Sequence, residues 1–370
     1  MSSASGDGRT WCSAVTVGML DAVPKMLVRA VTLAVLSGGT AEMLLGDQWL
    51  TGTPGLGQQV GMMLLFSAFY GSAALLIREV ARRTGRGWPT MLLLALAFGL
   101  IEEGVLDQTL YNPHYAGLDL LAYGHVGGLG IGVPWTIFVL SLHVIWSIGA
   151  PIATAEALFP QPVPGLPASG ADLQGPWLTR PGLGVAVGFD LLGAVAISFG
   201  TYGSEQFMAS PPQLAAALAA AVLVVGAALA IRPTGPVVRR RIEAVRGRWW
   251  VAALVGLATT TVYQLAYDQA PGSWPAWSAC LVMLAILAVG AAGAARYRLD
   301  PAGLAAGAIG TYCWIGWSKV TSLGAGPMVE QTLLALLAIG VVLLAARRRI
   351  RHHTPSAAGR RSPTLFEADS

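Results

Sequence analysis

Two apolar stretches of the sequence carry ionisable residues that could do chemistry together. The first ends with Glu102, Glu103 and Asp107, and the second contains His143. An ionisable side chain costs about 2.5–3.5 kcal/mol or more at the centre of a membrane helix, so those present usually face protein or water. Adjacent buried carboxylates also repel each other unless they share a proton or a cation. The pattern therefore favours a functional site, with a structural hydrogen-bonded pair as the other interpretation.

Helical geometry allows these side chains to meet. Glu103 and Asp107 are four residues apart and share one helix face, while Glu102 lies about 100° away around the axis. With a rise of 1.5 Å per residue, Glu102 lies about 9–10 Å from the outer end of its helix, and His143 lies about 15 Å from the outer end of the next. Because side-chain length and helix tilt cover this difference, contact in the outer half of the membrane is allowed.

Distinct roles can be assigned to these residues. In a catalytic site Glu103 would be the general base that takes a proton from water. Glu102 would share a metal ion or the developing charge, and His143 would be a metal ligand or an oxyanion donor. As a metal site, the candidate ligands are Glu103, Asp107 and His143, and the cofactor would be a divalent metal such as zinc.

The composition excludes an ordinary soluble enzyme. Of the 370 residues, 54% are hydrophobic and 11% are charged, whereas soluble domains carry about 25% charged residues. The three cysteines show neither a disulfide framework nor metal-ligand spacing. We therefore predict an all-α, polytopic membrane protein whose partner is the lipid bilayer. No nucleic-acid partner is expected, because the basic residues behind the net charge of +4 mark membrane orientation instead.

Apolar stretches bounded by charge, Gly or Pro predict about ten transmembrane helices, since about 20 residues are needed to cross a bilayer. The predicted spans are 26–46, 60–80, 88–108, 133–158, 182–200, 213–231, 249–266, 276–295, 301–320 and 328–346. The expected organisation is an N-terminal cytoplasmic segment (1–25), a helical membrane domain (26–346) and a disordered cytoplasmic tail (347–370). Within the membrane domain we expect an outer loop at 109–132 and cytoplasmic connectors at 159–181 and 232–248.

The basic residues give the ten-span arrangement an orientation. Ten spans place 22 of the 23 Lys and Arg residues on one side, and only Lys319 on the other. Because cytoplasmic loops carry an excess of Lys and Arg, we predict an inner-membrane protein with both termini in the cytoplasm. About half the acidic residues fall outside, which predicts an outward-facing acidic vestibule suited to a cation, a metal or a positively charged substrate. The other polar groups of the outer half are Glu42, Tyr202, Glu205, Gln264, Asp268, Lys319, Glu330 and Gln331.

Paired glutamates near the end of a membrane helix, followed some forty residues later by a helical His, resemble the CAAX-protease and bacteriocin-processing (CPBP) family of intramembrane proteases. The resemblance implies that Glu102 and Glu103 activate water and that His143 orients it or completes the site. Asp107 stands where the EExxxR motif of that family has Arg, and Val139 stands where its FxxxH motif has Phe. The likeness covers residues 90–160. The sequence also resembles uncharacterised bacterial integral membrane proteins, which imply no activity.

Three functions remain open at this point. The leading hypothesis is an outward-opening Glu/Glu/His site in a CPBP-like metal-dependent or glutamate-based hydrolase. A cation or proton-coupled transporter is favoured by the ten spans, the abundant Gly residues and Asp190, which lies alone near the middle of the fifth span as a candidate ion path. A membrane scaffold without chemistry would instead bury its polar groups in mutual hydrogen bonds.

Overall fold

A computed structural model describes residues 24–49, 52, 54–160, 175–233 and 249–353. These residues form ten long helices and one short hairpin, which confirms the predicted all-α fold with about ten helices. In chain order the helices are α1 (Pro24–Met43), α2 (Leu56–Arg83), α3 (Trp88–Leu106), α4 (Val133–Leu158), α5 (Arg180–Glu205), α6 (Pro211–Ala230), α7 (Trp249–Asp268), α8 (Ala276–Tyr297), α9 (Pro301–Val320) and α10 (Ala325–His353). The hairpin pairs β1 (His125–Val126) with β2 (Ile131–Gly132) in the loop between α3 and α4.

Nine of these helices in the described part of the chain are long and apolar enough to cross a membrane. The remaining one, α9, is 20 residues long but less apolar. It packs against α4, α7 and α10, so much of its surface faces protein. A helix enclosed by other helices has less need of apolar side chains, which explains why this span has the weaker hydropathy.

Several helices begin at sequence signals that can be recognised locally. Thr179 caps α5 by accepting a hydrogen bond from the Gly182 amide (3.2 Å), and Asp300 caps α9 through the Ala302 amide (3.0 Å). Ser210 and Gln213 form a capping box at the start of α6. Proline occupies the first turn after each of these caps, where its missing N–H costs no helical hydrogen bond.

Helix α4 lies at the centre of the bundle. In its most apolar stretch 61% of the residues are buried, compared with 11% for α8 and for α10. Trp146 of α4 is fully buried, stacks on Tyr312 of α9 at 4.4 Å between ring centroids and donates from Nε1 to the Ala308 carbonyl (2.7 Å). Residues on α4 are therefore held from several sides, which makes this helix a rigid support for a site.

The outer helices present large apolar side chains away from the protein. Leu192 of α5, Leu223 of α6 and Val289 of α8 expose 68%, 74% and 72% of their surface. In water such a surface would be unfavourable, because burying apolar area stabilises by about 25 cal/mol per Å². These faces fit the acyl chains of a bilayer, as expected for a polytopic membrane protein.

Close packing between α7 and α9 depends on small residues. A Cβ on Gly307 would lie under 3.0 Å from backbone atoms of Ala253 and Leu257. A Cβ on Gly256 would lie under 3.0 Å from the backbone oxygen of Leu304. Membrane helices approach closely where such small residues face each other. Glycine is therefore required at these positions by the neighbouring backbone and not by helix propensity.

The last helix extends further than the sequence suggested. Helix α10 continues to His353, although a disordered tail was expected from residue 347. Arg348 donates to the Leu158 carbonyl at the end of α4 (3.0 Å), and Arg349 pairs with Asp300 (2.7 Å). These contacts hold the basic last turns against neighbouring helices. Residues 1–23, 161–174, 234–248 and 354–370, which include most of the predicted N-terminal segment, connectors and tail, lie outside the described residues.

A buried ion-pair network joins the ends of α2 and α4 and consists of Arg78, Glu79, Arg82, Arg83 and Glu156. Arg78 Nε lies 3.0 Å from Glu156 and its Nη1 lies 3.2 Å from Glu79. Arg82 binds Glu156 with two nitrogens (2.9 and 2.6 Å), and Arg83 Nε pairs with Glu79 (3.0 Å). The network also holds the segment before α5, since Arg78 stacks on the ring of Trp177 (3.6 Å).

Candidate functional site

Three helices contain a π-helical turn, and these turns carry the candidate residues. The π turns are Gly39–Met43 in α1, Glu102–Leu106 in α3 and His143–Gly149 in α4. Glu102 and Glu103 begin the turn in α3, and His143 begins the turn in α4. Glu42 lies within the turn in α1. Such turns interrupt the regular helix and occur often at functional sites, and here two of them place Glu102 and Glu103 beside His143.

The structure brings Glu102, Glu103 and His143 into direct contact. His143 Nε2 lies 2.6 Å from Glu103 Oε1 and 2.7 Å from Glu102 Oε2. The imidazole N–H is aligned with Glu103, so Glu102 Oε2 has no hydrogen-bond donor despite its proximity to Nε2. The three residues are 1%, 5% and 5% exposed, so protein encloses the centre, whereas an outward opening was expected. This Glu/Glu/His centre contains the three residues that the sequence singled out for catalysis.

Neighbouring groups hold Glu103 and His143 in place. Thr109, the third residue after the π turn of α3, donates its hydroxyl hydrogen to Glu103 Oε2. Trp135 Nε1 lies 3.3 Å from the Thr109 hydroxyl oxygen and donates to it. On the far side of the imidazole, the Ser147 hydroxyl lies 3.4 Å from Nδ1. Both carboxylate oxygens of Glu103 therefore have partners, and its orientation is determined by the protein.

The His143 ring lies in a tight aromatic setting. A Cβ on Gly99 would come within 3.1–3.3 Å of carbon atoms of His143, so only glycine leaves the ring its present space. The Tyr70 ring stacks on the imidazole with centroids 5.9 Å apart, and the Phe98 ring contacts it edge-on at 6.0 Å. This packing limits rotation of the imidazole and keeps Nε2 directed at the two carboxylates.

Two residues of the site were not recognised from the sequence, Tyr70 and Glu42. The Tyr70 hydroxyl contacts Glu102 Oε1 and lies 2.6 Å from Glu42 Oε1, so one phenolic hydrogen faces two carboxyl groups. Glu42 could be identified only as a polar group of the outer half, and Tyr70 carries no signal that separates it from an interfacial aromatic residue. Their distance from Glu102 along the chain gives no periodicity from which contact could be predicted.

Asp107 is placed differently from the expectation for a metal ligand. The ligand atoms that lie within 4.8 Å of one another belong to Glu102, Glu103 and His143, without Asp107. Asp107 instead accepts hydrogen bonds from Thr201 of α5 (2.7 Å) and from Tyr115 (3.4 Å). Burial raises the pKa of the Tyr115 phenol, and the nearby Asp107 carboxylate raises it further. The phenol therefore keeps its hydrogen and remains a donor. Glu103 and Asp107 therefore bind different groups, although only four residues separate them in the chain.

The candidate Asp190 and the two histidines of the loop between α3 and α4 lie apart from this centre. Asp190 is half-buried on α5 and accepts a hydrogen bond from Ser72 (3.4 Å), and its described contacts include no group of the Glu/Glu/His centre. His114 is exposed and pairs with Asp119 (3.1 Å). His125 is exposed in the loop hairpin. His143 therefore remains the histidine that contacts the paired glutamates.

Comparison with known proteins places the chain at the level of a family. No curated protein and no solved structure matches it. A family model described as "Uncharacterized membrane protein family" matches residues 31–351. This match includes nearly all of the ten helices and every residue of the Glu/Glu/His centre. The chain therefore belongs to this uncharacterised family of membrane proteins.

Proposed function

We propose that this protein is an intramembrane hydrolase in which Glu102, Glu103 and His143 act on a substrate that reaches them within the membrane. The observation that carries the proposal is the position of Glu103, held between His143 Nε2 (2.6 Å) and the Thr109 hydroxyl inside a buried site. A carboxylate whose orientation is fixed in this way is suited to take a proton from a water molecule at a defined position. Because helices enclose this base, a substrate embedded in the membrane is the one that fits the proposal best.

The reaction consistent with this geometry is hydrolysis of an ester or amide. Glu103 accepts a proton from water while the water oxygen bonds to the substrate carbonyl carbon. The carbonyl π electrons move onto oxygen. Once Glu103 is protonated it is a weaker acceptor, and the Nε2–H of His143 turns from it to donate a hydrogen bond to the oxyanion. When the carbonyl re-forms, the bond to the leaving group breaks and Glu103 returns its proton to that group. Water is consumed, and the protein regains its starting state.

The resemblance to the CPBP family supports the same assignment, since it implies water activation by paired glutamates with a histidine on a later helix. Contact between these residues in three dimensions adds to that support. Asp107 replaces the motif arginine, and here it binds Thr201 and Tyr115. The local arrangement after the glutamates therefore differs from the motif, while the Glu/Glu/His part agrees with it.

Reconstituted protein tests the general-base role. In proteoliposomes, the wild type should cleave an internally quenched hydrophobic peptide or a fluorogenic long-chain acyl ester. Glu103→Gln keeps the size of the side chain but removes the base, and we expect a rate lower by a factor of about 10²–10⁴. Fluorescence release is the measurement. Glu103→Asp, which keeps a carboxylate, should hydrolyse the substrate faster than Glu103→Gln but more slowly than the wild type.

Asp190→Asn is the matched control, because it neutralises a half-buried carboxyl outside the centre and should leave hydrolysis unchanged. Equal rates for Glu103→Gln and the wild type would contradict the base assignment. No cleavage by the wild type, together with a cation or proton flux that Asp190→Asn abolishes, would favour the transport alternative. That alternative has its own support in the hydrogen-bonded chain from Glu42 through Tyr70 to Glu102, which links α1, α2 and α3.

We further infer that the protein lies in the cell membrane with both termini cytoplasmic and the loop between α3 and α4 outside. The support is the distribution of Lys and Arg over the chain, because basic loops remain in the cytoplasm. The arginine network at the ends of α2 and α4 would then lie on the cytoplasmic side, and the Glu/Glu/His centre would lie in the outer half.

Single-cysteine labelling tests this orientation in a variant without the native cysteines. Gly128 in the loop is exposed and has open space around its Cβ position, and Pro233 after α6 is exposed as well. An impermeant thiol reagent on intact cells should label Gly128→Cys and leave Pro233→Cys unlabelled until the cells are opened. The reverse pattern would place the centre in the cytoplasmic half.

A further inference from the structure

The ligand atoms of Glu102, Glu103 and His143 lie close enough together to surround one cation, and we propose that this centre binds one divalent transition-metal ion. Two carboxylate oxygens and one imidazole nitrogen lie within 4.8 Å of one another. The proposal concerns the same residues as the hydrolase proposal but does not depend on hydrolysis, since a bound ion could equally serve transport.

The hydrogen count at the centre supports a bound cation. His143 Nε2 carries one hydrogen at most and faces two carboxylate oxygens, at 2.6 Å in Glu103 and 2.7 Å in Glu102. Glu102 Oε2 is left without a donor although Glu102 is only 1% exposed. A buried polar atom without a partner costs about 1–3 kcal/mol, and more when it is charged. A cation bound between these atoms would supply the missing interaction.

Four carboxyl groups lie close together around the centre. Glu42 and Asp107 add two carboxyl groups close to Glu102 and Glu103. Within the described part of the chain, no Lys or Arg side chain forms an ion pair with any of these four residues. Buried charges are normally paired or coordinate a metal. A divalent ion would neutralise two of these charges at the point where the ligand atoms meet.

Each ligand has an orienting partner of the kind found behind metal ligands. Tyr70 contacts Glu102, Thr109 contacts Glu103, and the Ser147 hydroxyl lies 3.4 Å from Nδ1 of His143. Such outer groups set the direction and basicity of the ligands, and their loss typically weakens metal binding 10–100-fold. The enclosure of the centre by helices α1 to α4 would exclude competing water.

The donor set indicates the class of ion. Ca²⁺ and Mg²⁺ prefer oxygen ligands alone, whereas an imidazole with carboxylates suits zinc, manganese or iron. Zinc with bonds of about 2.0–2.2 Å needs ligand atoms about 3.3 Å apart in a tetrahedral site, so the side chains would separate by about 0.7 Å. Three protein ligands leave a fourth position for water, as in catalytic zinc sites.

Metal titration of the purified full-length protein in detergent micelles tests the proposal. After stripping with a chelator, the wild type should take up one Zn²⁺ per chain, measured by atomic emission after gel filtration. Co²⁺ in its place should give a visible ligand-field absorption band. We expect at least about tenfold weaker binding in Glu102→Gln and about 10–100-fold weaker binding in Tyr70→Phe. Asp190→Asn should bind as the wild type does.

The outcomes separate this proposal from the hydrolase proposal. The metal-site proposal is overturned if the wild type binds Zn²⁺ no more tightly than Glu102→Gln and Tyr70→Phe do. If Glu102→Gln does not fold, Tyr70→Phe and Thr109→Val carry the same comparison, because each removes one hydroxyl next to a ligand. Hydrolysis that survives complete stripping would show that the glutamate base acts without a metal, while the titration alone decides the metal site. Tight Zn²⁺ binding without hydrolysis would support the metal site and contradict the hydrolase proposal.

Discussion

Glu156→Gln is expected to lower the free energy of unfolding by about 3–5 kcal/mol, the usual cost of removing one partner from a buried ion pair. Glu156 lies 3.0 Å from Arg78 Nε in an ion pair and accepts hydrogen bonds from two nitrogens of Arg82 (2.9 and 2.6 Å). Arg78 is fully buried, and Arg82 has a side chain only 7% exposed. The amide keeps the shape of the carboxylate but removes its charge, so Arg82 loses its carboxylate partner and Arg78 loses one of two. Unfolding by SDS in mixed micelles measures the change.

The control for this prediction is a carboxylate in an exposed pair. Asp119 lies 3.1 Å from His114, and their side chains are 75% and 79% exposed. Because water screens such pairs, Asp119→Asn should leave the unfolding curve almost unchanged. A Glu156→Gln variant as stable as Asp119→Asn would mean that the network is not needed to hold α2, α4 and the segment with Trp177 together.

Gly307→Ala is expected to destabilise the protein by about 3 kcal/mol, at the upper end of the range for overpacking a tight interior. The added Cβ would lie under 3.0 Å from backbone atoms of Ala253 and Leu257 in α7. Backbone atoms cannot rotate away as a flexible side chain does, so α7 and α9 must separate. The same unfolding measurement reports the loss.

Gly293→Ala in α8 is the matched control, since it adds the same methyl group to a helix where nothing lies within 4 Å of the new Cβ. We expect it to be neutral or slightly stabilising, because Ala has a higher helix propensity than Gly. Similar destabilisation by both variants would show that the effect comes from the helix backbone and not from the contact between α7 and α9.

The sequence was sufficient for the class of protein and for the helices. Length and hydropathy identify a membrane helix locally, because each span must satisfy its own backbone hydrogen bonds in lipid. Even α9, which falls below the hydropathy of the other spans, could be recognised by its place between α8 and α10. Glu102, Glu103 and His143 were also identifiable, since ionisable residues in apolar helices are rare and costly.

Only the tertiary structure decided which groups share the centre. Glu42 and Tyr70 join Glu102 from α1 and α2, and no local pattern relates residues so far apart in the chain. Glu103 and Asp107 were expected to act together because they are four residues apart, but they bind different partners. The helix is also not regular there, since a π turn begins at Glu102. Periodicity describes a regular helix, whereas the direction of each carboxylate depends on where that regularity is interrupted and on what the neighbouring helices present there.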